Sequence, residues 1–207
     1  MTIFLFLLII HICCGTLSLL CAGGALYAAK GQWWHRHFGD FFFYGMTGIF
    51  ITAIPMSLII TNLFLFLIAI FSYYLAFTGR RFALNESGVP KRIDWAVSSA
   101  MLLTAVAMLI AGWHFYSTNT THAIILWVFG GIGASLSYGN LKIFKKGGVR
   151  GKERIFQHLS SMIGATIAAV TAFIVTNIHM QPAIILWLGP TVVLVPVIFW
   201  WRKRINV

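Results

Sequence analysis

Seven long apolar segments dominate the chain, and they leave few architectures open to it. Most of them approach the ~20 residues that an α-helix needs to cross the ~30 Å hydrocarbon core of a bilayer. We therefore predict an all-α, polytopic membrane protein: a bundle of seven transmembrane helices that forms a single integral membrane domain over residues 1–207. The predicted spans are residues 2–28, 41–60, 63–77, 96–116, 123–138, 159–178 and 183–201.

The composition points the same way. Hydrophobic residues make up 59% of the 207 residues and charged residues only 9%, whereas a soluble domain carries about a quarter charged residues. So few charged side chains do not cover a water-facing surface. A soluble globular domain is excluded, and the lipid bilayer is the first partner that the sequence predicts.

The charges give the expected orientation. There are 15 Lys and Arg against 4 Asp and Glu, and every Lys and Arg falls on one side of the seven-span arrangement. Since basic residues collect in cytoplasmic loops, we expect the N-terminus outside and the C-terminus in the cytoplasm. The basic residues recur between spans instead of gathering on one domain, so we expect no nucleic-acid partner. The basic loop over residues 142–154 is expected to meet anionic lipids.

Several familiar chemistries have no support in the sequence. No Asp, Glu, Lys or Arg lies deep in a predicted span, which weighs against a proton-coupled carrier. The seventh span has no lysine for a retinal Schiff base. The H-E-x-x-H, G-x-S-x-G and P-loop motifs are missing, so zinc protease, serine hydrolase and NTPase activities are not indicated. Catalytic residues stay unknown, and the sequence leaves open whether the protein is an enzyme.

Histidines are the remaining candidates for a site. His35 lies at the cytoplasmic entry to the second span and His158 at the cytoplasmic entry to the sixth, so both imidazoles are expected at the same level. A b-type haem needs two imidazoles at one depth, and this pair satisfies that condition. His11 is the one histidine well inside a span, where an imidazole must find a partner or a ligand. The predicted cofactor-binding residues are His11, His35 and His158.

A transition metal, Cu or Zn, is the alternative to haem b. Such an ion needs three or four ligands, and the sequence offers His35, His37, His158 and Met162, which follows His158 by one turn. No span carries two histidines about four turns apart, which weighs against a di-haem cytochrome. A third interpretation also stays open, in which these histidines bond to headgroups or backbone and no cofactor is bound.

Three short motifs carry a family resemblance. His11 to Gly15 is similar to an L-H-x-x-x-G opening, Lys30 to Gly39 to K-G-x-x-x-H-R-x-x-G, and His158 to Phe173 to H-x-x-x-M…T-A-F. In this order they resemble a family of uncharacterised bacterial multi-pass membrane proteins, a domain of unknown function. The resemblance implies the bacterial inner membrane and favours His11, His35 and His158. It supplies no activity, and the extra His37 is a departure from the pattern.

The leading hypothesis is a histidine-centred haem or metal site that serves redox chemistry or electron transfer within the membrane, with a quinone or another redox partner. His11 would then be a ligand or a proton-handling group nearer the outside. Two alternatives belong to other classes: a cofactor-free transporter or channel for a small molecule, and an accessory or scaffold subunit of a membrane complex. A homo- or hetero-oligomer is compatible with each of them.

Overall fold

The computed structural model describes residues 2–205, and all its regular elements are helices. Seven helices follow one another in short succession: α1 Thr2–Tyr27, α2 Trp33–Ile59, α3 Leu63–Leu84, α4 Arg92–Phe115, α5 Thr120–Lys145, α6 Gly151–Asn177 and α7 Ile184–Ile205. Each is long and apolar enough to cross a membrane. The prediction of seven helical spans is therefore confirmed.

Four of the predicted spans begin or end well inside the observed helices. Helix α2 begins at Trp33, eight residues before the predicted start, and α3 continues to Leu84. Helix α5 continues to Lys145, and α6 begins at Gly151. The reason is that hydropathy reports the apolar part of a helix, whereas backbone hydrogen bonds carry the helix on through polar residues.

Two groups of helices share α3. In the first group, α1 packs on α2, α2 on α3, α3 on α6, and α6 on α1. These four helices close a ring in which α2 and α6 lie on the diagonal. Within residues 2–205, no Cα atom of α2 approaches within 8 Å of a Cα atom of α6. In the second group, α4 packs on α5 and both contact α3, while α7 lies on α6 and α5.

Large apolar side chains fill the centre around α3. Phe71 of α3 stacks on Phe129 of α5 with ring centroids 5.3 Å apart, and Met101 and Met108 of α4 are fully buried beside them. The α1–α2 pair packs differently, through a glycine. A Cβ atom on Gly45 would meet the hydroxyl of Ser18 and lie 2.9 Å from the backbone of Cys14. Close approach of small residues is the usual way in which helices associate in lipid.

One end of the bundle carries all the basic residues, and we call it the basic end. It comprises the α1–α2, α3–α4 and α5–α6 connections and the C-terminal turn of α7. Here Arg81 of α3 holds Asp94 of α4 through two hydrogen bonds, Nε–Oδ1 at 2.6 Å and Nη2–Oδ2 at 2.9 Å. Arg80 pairs with Asp40 of α2. These contacts fix the helix ends among which the predicted site residues lie.

Candidate functional site

His35 and His158 meet inside the four-helix ring near the basic end. Their ring centroids are 6.3 Å apart and their planes are 88° apart. His35 belongs to α2 and His158 to α6, the two helices on the diagonal. The imidazoles thus come together across a space that the two helix backbones leave between them. The structure therefore brings together the two imidazoles that the sequence placed at one level.

Each of these histidines is oriented by a main-chain carbonyl of a neighbouring helix. The Nδ1 atom of His35 lies 2.9 Å from the carbonyl oxygen of Ala25 in α1, and Nδ1 of His158 lies 2.8 Å from the carbonyl oxygen of Gly79 in α3. All four helices of the ring therefore contribute to the arrangement: α2 and α6 supply the imidazoles, and α1 and α3 supply the acceptors.

These hydrogen bonds decide the tautomer of both imidazoles. A carbonyl oxygen only accepts, so the proton of each neutral ring must be on Nδ1. The Nε2 atoms then carry lone pairs, and neither forms a hydrogen bond to any residue from 2 to 205. A histidine that donates its Nδ1–H to a carbonyl is in the form that binds a metal through Nε2.

The separation of the rings fits a shared metal. A metal bonded to both Nε2 atoms at about 2.0–2.1 Å would place the ring centroids roughly 6 Å apart. The observed 6.3 Å agrees with that value. The two residues thus have the tautomer that binds a metal through Nε2, and a centroid separation compatible with two imidazoles on one metal.

Met162 packs against Gly79, the residue whose carbonyl oxygen bonds to His158. It follows His158 by one turn of α6, and its Sδ atom would be 2.7 Å from a Cβ atom placed on Gly79. The absence of a side chain at Gly79 therefore lets α6 pack against α3 where His158 takes its hydrogen bond. A larger residue there would displace the thioether and the helix that carries His158.

His37 is not brought to the pair. Side chains two residues apart on a helix do not face each other, and Nδ1 of His37 bonds instead to the carbonyl oxygen of Trp33 at 2.8 Å. Its ring packs on the Trp33 indole with centroids 3.8 Å apart. In the part of the chain from 2 to 205, no group of three or more His, Cys, Asp or Glu side chains is placed to hold a metal ion.

His11 forms a separate polar contact between α1 and α2. Its Nδ1 atom lies 2.9 Å from Oγ1 of Thr52. That hydroxyl also lies 2.8 Å from the carbonyl oxygen of Gly48 and 2.9 Å from that of Ile49. Since a hydroxyl has one proton and gives it to a carbonyl, Thr52 accepts from the Nδ1–H of His11. The Nε2 atom of His11 therefore also carries a lone pair.

His11 and the His35–His158 pair lie at different depths. Fourteen residues of α1 separate His11 from Ala25, to which His35 bonds, and at 1.5 Å per residue they span about 21 Å. His11 is therefore not a ligand of the same centre. The expectation that it lies nearer the other face agrees with this placement.

The remaining histidines gather at the opposite end of the bundle. His122 stacks on Phe64 with ring centroids 4.1 Å apart, which is an aromatic packing contact. His179 lines a cavity of about 270 Å³ between the end of α6 and the start of α7, together with Gln181 and Trp187.

The structure agrees with the preference for His35, His158 and His11 in one respect only. Each of these three side chains has a hydrogen bond to another helix.

The sequence does not predict the hydrogen-bond partners of His35, His158 and His11. Ala25 and Gly79 act through main-chain oxygens, which every residue has, so their side chains give no signal. Thr52 resembles the other hydroxyl residues that bond back to their own helix, and only the packing of α1 on α2 brings it to His11.

Comparisons with protein-family models, with curated proteins and with solved structures find no match for this chain.

Proposed function

We propose that this chain is a multi-pass membrane redox protein in which the imidazoles of His35 and His158 would hold a haem b. The observation that carries the proposal is the pair itself: two Nε2 lone pairs on rings 6.3 Å apart, offered from opposite helices of a four-helix ring. Haem iron takes only two ligands from the protein because the macrocycle fills the other four positions. When bound, such a group would supply one-electron redox chemistry.

The protein's contribution would be to hold and orient the two imidazoles. The carbonyl oxygens of Ala25 and Gly79 fix the rings in the ligating tautomer, and such partners raise the basicity of a metal-bound imidazole. The hydrogen bonds and the burial around the centre would set its reduction potential. A quinone or another redox partner would exchange electrons with it.

A copper ion is the second candidate, and Met162 is the observation that favours it. Thioether and imidazole ligands together suit Cu(I), and the Met162 sulfur packs against Gly79, whose carbonyl holds His158. Zinc fits less well, because it takes four ligands in closed sites and His37 points to Trp33. His35, His158 and Met162 would form the copper set.

His11 would handle protons nearer the other face. Its Nε2 lone pair accepts a proton, and Thr52 holds the ring by the opposite nitrogen. An ionisable side chain inside a membrane segment is by default a functional candidate. We infer no ligation of the haem by His11, since about 21 Å of helix separates the two levels.

The orientation of the protein follows from its charges. We propose that the basic end faces the cytoplasm of a bacterial inner membrane, because Lys and Arg are retained on that side, and the motif resemblance favours the same membrane. A reporter fused to the C-terminal end of α7 is expected to be active in the cytoplasm. Activity of the fusion only on the outer side would contradict this orientation. A fusion in the connection 178–183 is the control and should report from the outside.

The haem proposal is tested by the visible absorption spectrum of the purified protein. Purified from a haem-replete host in mild detergent, it is expected to show a Soret band and, after dithionite, the sharp bands of a six-coordinate ferrous haem. Metal analysis should give about one iron per chain. Copper without a Soret band would favour the second candidate. A colourless, metal-free preparation that takes up neither haem nor copper would overturn both and favour a cofactor-free transporter or channel, or an accessory subunit.

A further inference from the structure

Two cations stand beside the histidine pair at the ends of α1 and α3. The first is Lys30, which follows α1. Its Nζ atom lies 3.1 Å from the carbonyl oxygen of Ala25, 2.5 Å from that of Leu26 and 3.2 Å from that of Ala28. The Ala25 oxygen also accepts from His35 at 2.9 Å, so the ammonium and the imidazole nitrogen lie within about 6 Å of each other.

The second cation is Arg154 of α6. Its Nη1 atom donates to the carbonyl oxygens of Phe82 and Ala83, both at 2.7 Å, at the end of α3. Arg154 precedes His158 by four residues, about one turn of α6, on the side of the basic end. Its other guanidinium nitrogens donate to no group within residues 2–205.

The surroundings of His35 and of His158 follow the same pattern. Each histidine bonds to a carbonyl of the adjacent helix, and a cation four or five residues before that histidine bonds to the last carbonyls of the same adjacent helix. Both cations therefore lie on the basic-end side of the imidazoles, one on either side of the space between α2 and α6.

Lys30 and Arg154 keep a net positive charge beside the histidine pair after their contacts within the protein are counted. Among residues 2–205, the ion pairs are Arg80 with Asp40 and Arg81 with Asp94, so neither Lys30 nor Arg154 has a carboxylate partner there. A helix C-terminus offsets about half a charge. The net positive charge of Lys30 and Arg154 lies beside the two Nε2 lone pairs. This combination suits a ligand that contains both a metal and anionic groups.

We infer that the group held by His35 and His158 carries carboxylates on the edge that faces the basic end, and that Lys30 and Arg154 pair with them. The inference rests on the proposed function and specifies the cofactor's chemistry: a porphyrin with two free propionates instead of a bare metal ion. Arg154 suits this role because a guanidinium binds a carboxylate through two parallel hydrogen bonds.

The test compares haemin with haemin dimethyl ester, which has the same iron and macrocycle and no free carboxylates. Each is titrated into cofactor-depleted protein in detergent, and binding is read from the shift of the Soret band. For the unmodified protein, the ester is expected to bind at least about tenfold more weakly than haemin. In the double variant Lys30→Gln, Arg154→Gln, haemin should lose that advantage and the two compounds should bind alike.

The matched control is Lys145→Gln, Lys146→Gln. It removes the same two charges from the basic end, but on α5 and its C-terminal cap, outside the ring of four helices. It should keep the full preference for haemin. If the Lys30, Arg154 double variant does not fold, the conservative exchange Lys30→Arg, Arg154→Lys retains both charges and should retain the preference.

The outcomes separate the two proposals. Equal binding of haemin and its ester to the unmodified protein, with a spectrum that depends on His35 and His158, overturns the role of the cations and leaves the haem site standing. An equal loss of preference in the control variant also overturns it. Failure of both compounds to bind overturns the haem site itself.

Discussion

Replacement of His35 or His158 with alanine is expected to remove the six-coordinate haem spectrum and to lower bound iron by at least about tenfold. Each change deletes one of the two imidazoles that would hold the proposed haem, and even outer partners of metal ligands are worth about 10–100-fold in affinity.

The matched control for this experiment is His37→Ala. His37 lies on the same helix, two residues from His35, and bonds to Trp33 instead of facing His158. It should keep full iron content and the same spectrum. His11→Ala should also keep both, since His11 contacts Thr52 at another depth. Loss of haem in His37→Ala with retention in His158→Ala would refute the assignment of the ligands.

The sequence predicts the pair and not its surroundings. His35 and His158 could be placed at one level because both lie at the cytoplasmic entry to an apolar span, and depth follows from residue count. Which helices lie on a diagonal does not follow from hydropathy, because every span is apolar enough to pack anywhere. The ring of α1, α2, α3 and α6 depends on small contacts such as Gly45 against Ser18, which only the folded chain displays.

The helix ends were harder to predict than the helix number. The segment from Trp33 to Asp40 contains four charged or histidine residues, so an apolar window ends before it. The structure continues α2 through it, because its polar side chains find partners: His37 at Trp33 of the same helix, His35 at Ala25 of α1 and Asp40 at Arg80 of α3. The site lies in this polar extension, and a reading by hydropathy alone therefore places His35 at the edge of a span instead of in a helix.

Asp94→Ala is expected to lower the free energy of unfolding by about 3 kcal/mol, the low end of the cost of breaking a buried ion pair. The Asp94 side chain is 6% exposed and accepts two hydrogen bonds from Arg81. It also accepts from the backbone nitrogen of Lys91 at 2.7 Å, which caps α4. For a chain of this size the thermal midpoint should fall by roughly 6–12 °C.

The control for this prediction is Asp40→Ala, which breaks the other ion pair of the basic end. The Asp40 side chain is 46% exposed, so water screens the pair with Arg80 and its loss should cost less than about 1 kcal/mol. Thermal unfolding in detergent, followed by circular dichroism, compares the two variants. Equal losses of stability would show that burial does not govern these two pairs.

The separation of α2 from α6 has a consequence for the order in which the bundle is assembled. At the level of the histidine pair, α2 and α6 approach each other only through side chains. A cofactor bonded to His35 and His158 would therefore link the two helices across the ring. If the proposed cofactor binds there, its loading would be a step separate from insertion of the helices and would complete the bundle. Because a ligand that binds only the folded state stabilises it by mass action, saturation at 100 times Kd would add about 2.7 kcal/mol. The supply of the cofactor in the cell would then set how much of the chain survives as a closed bundle.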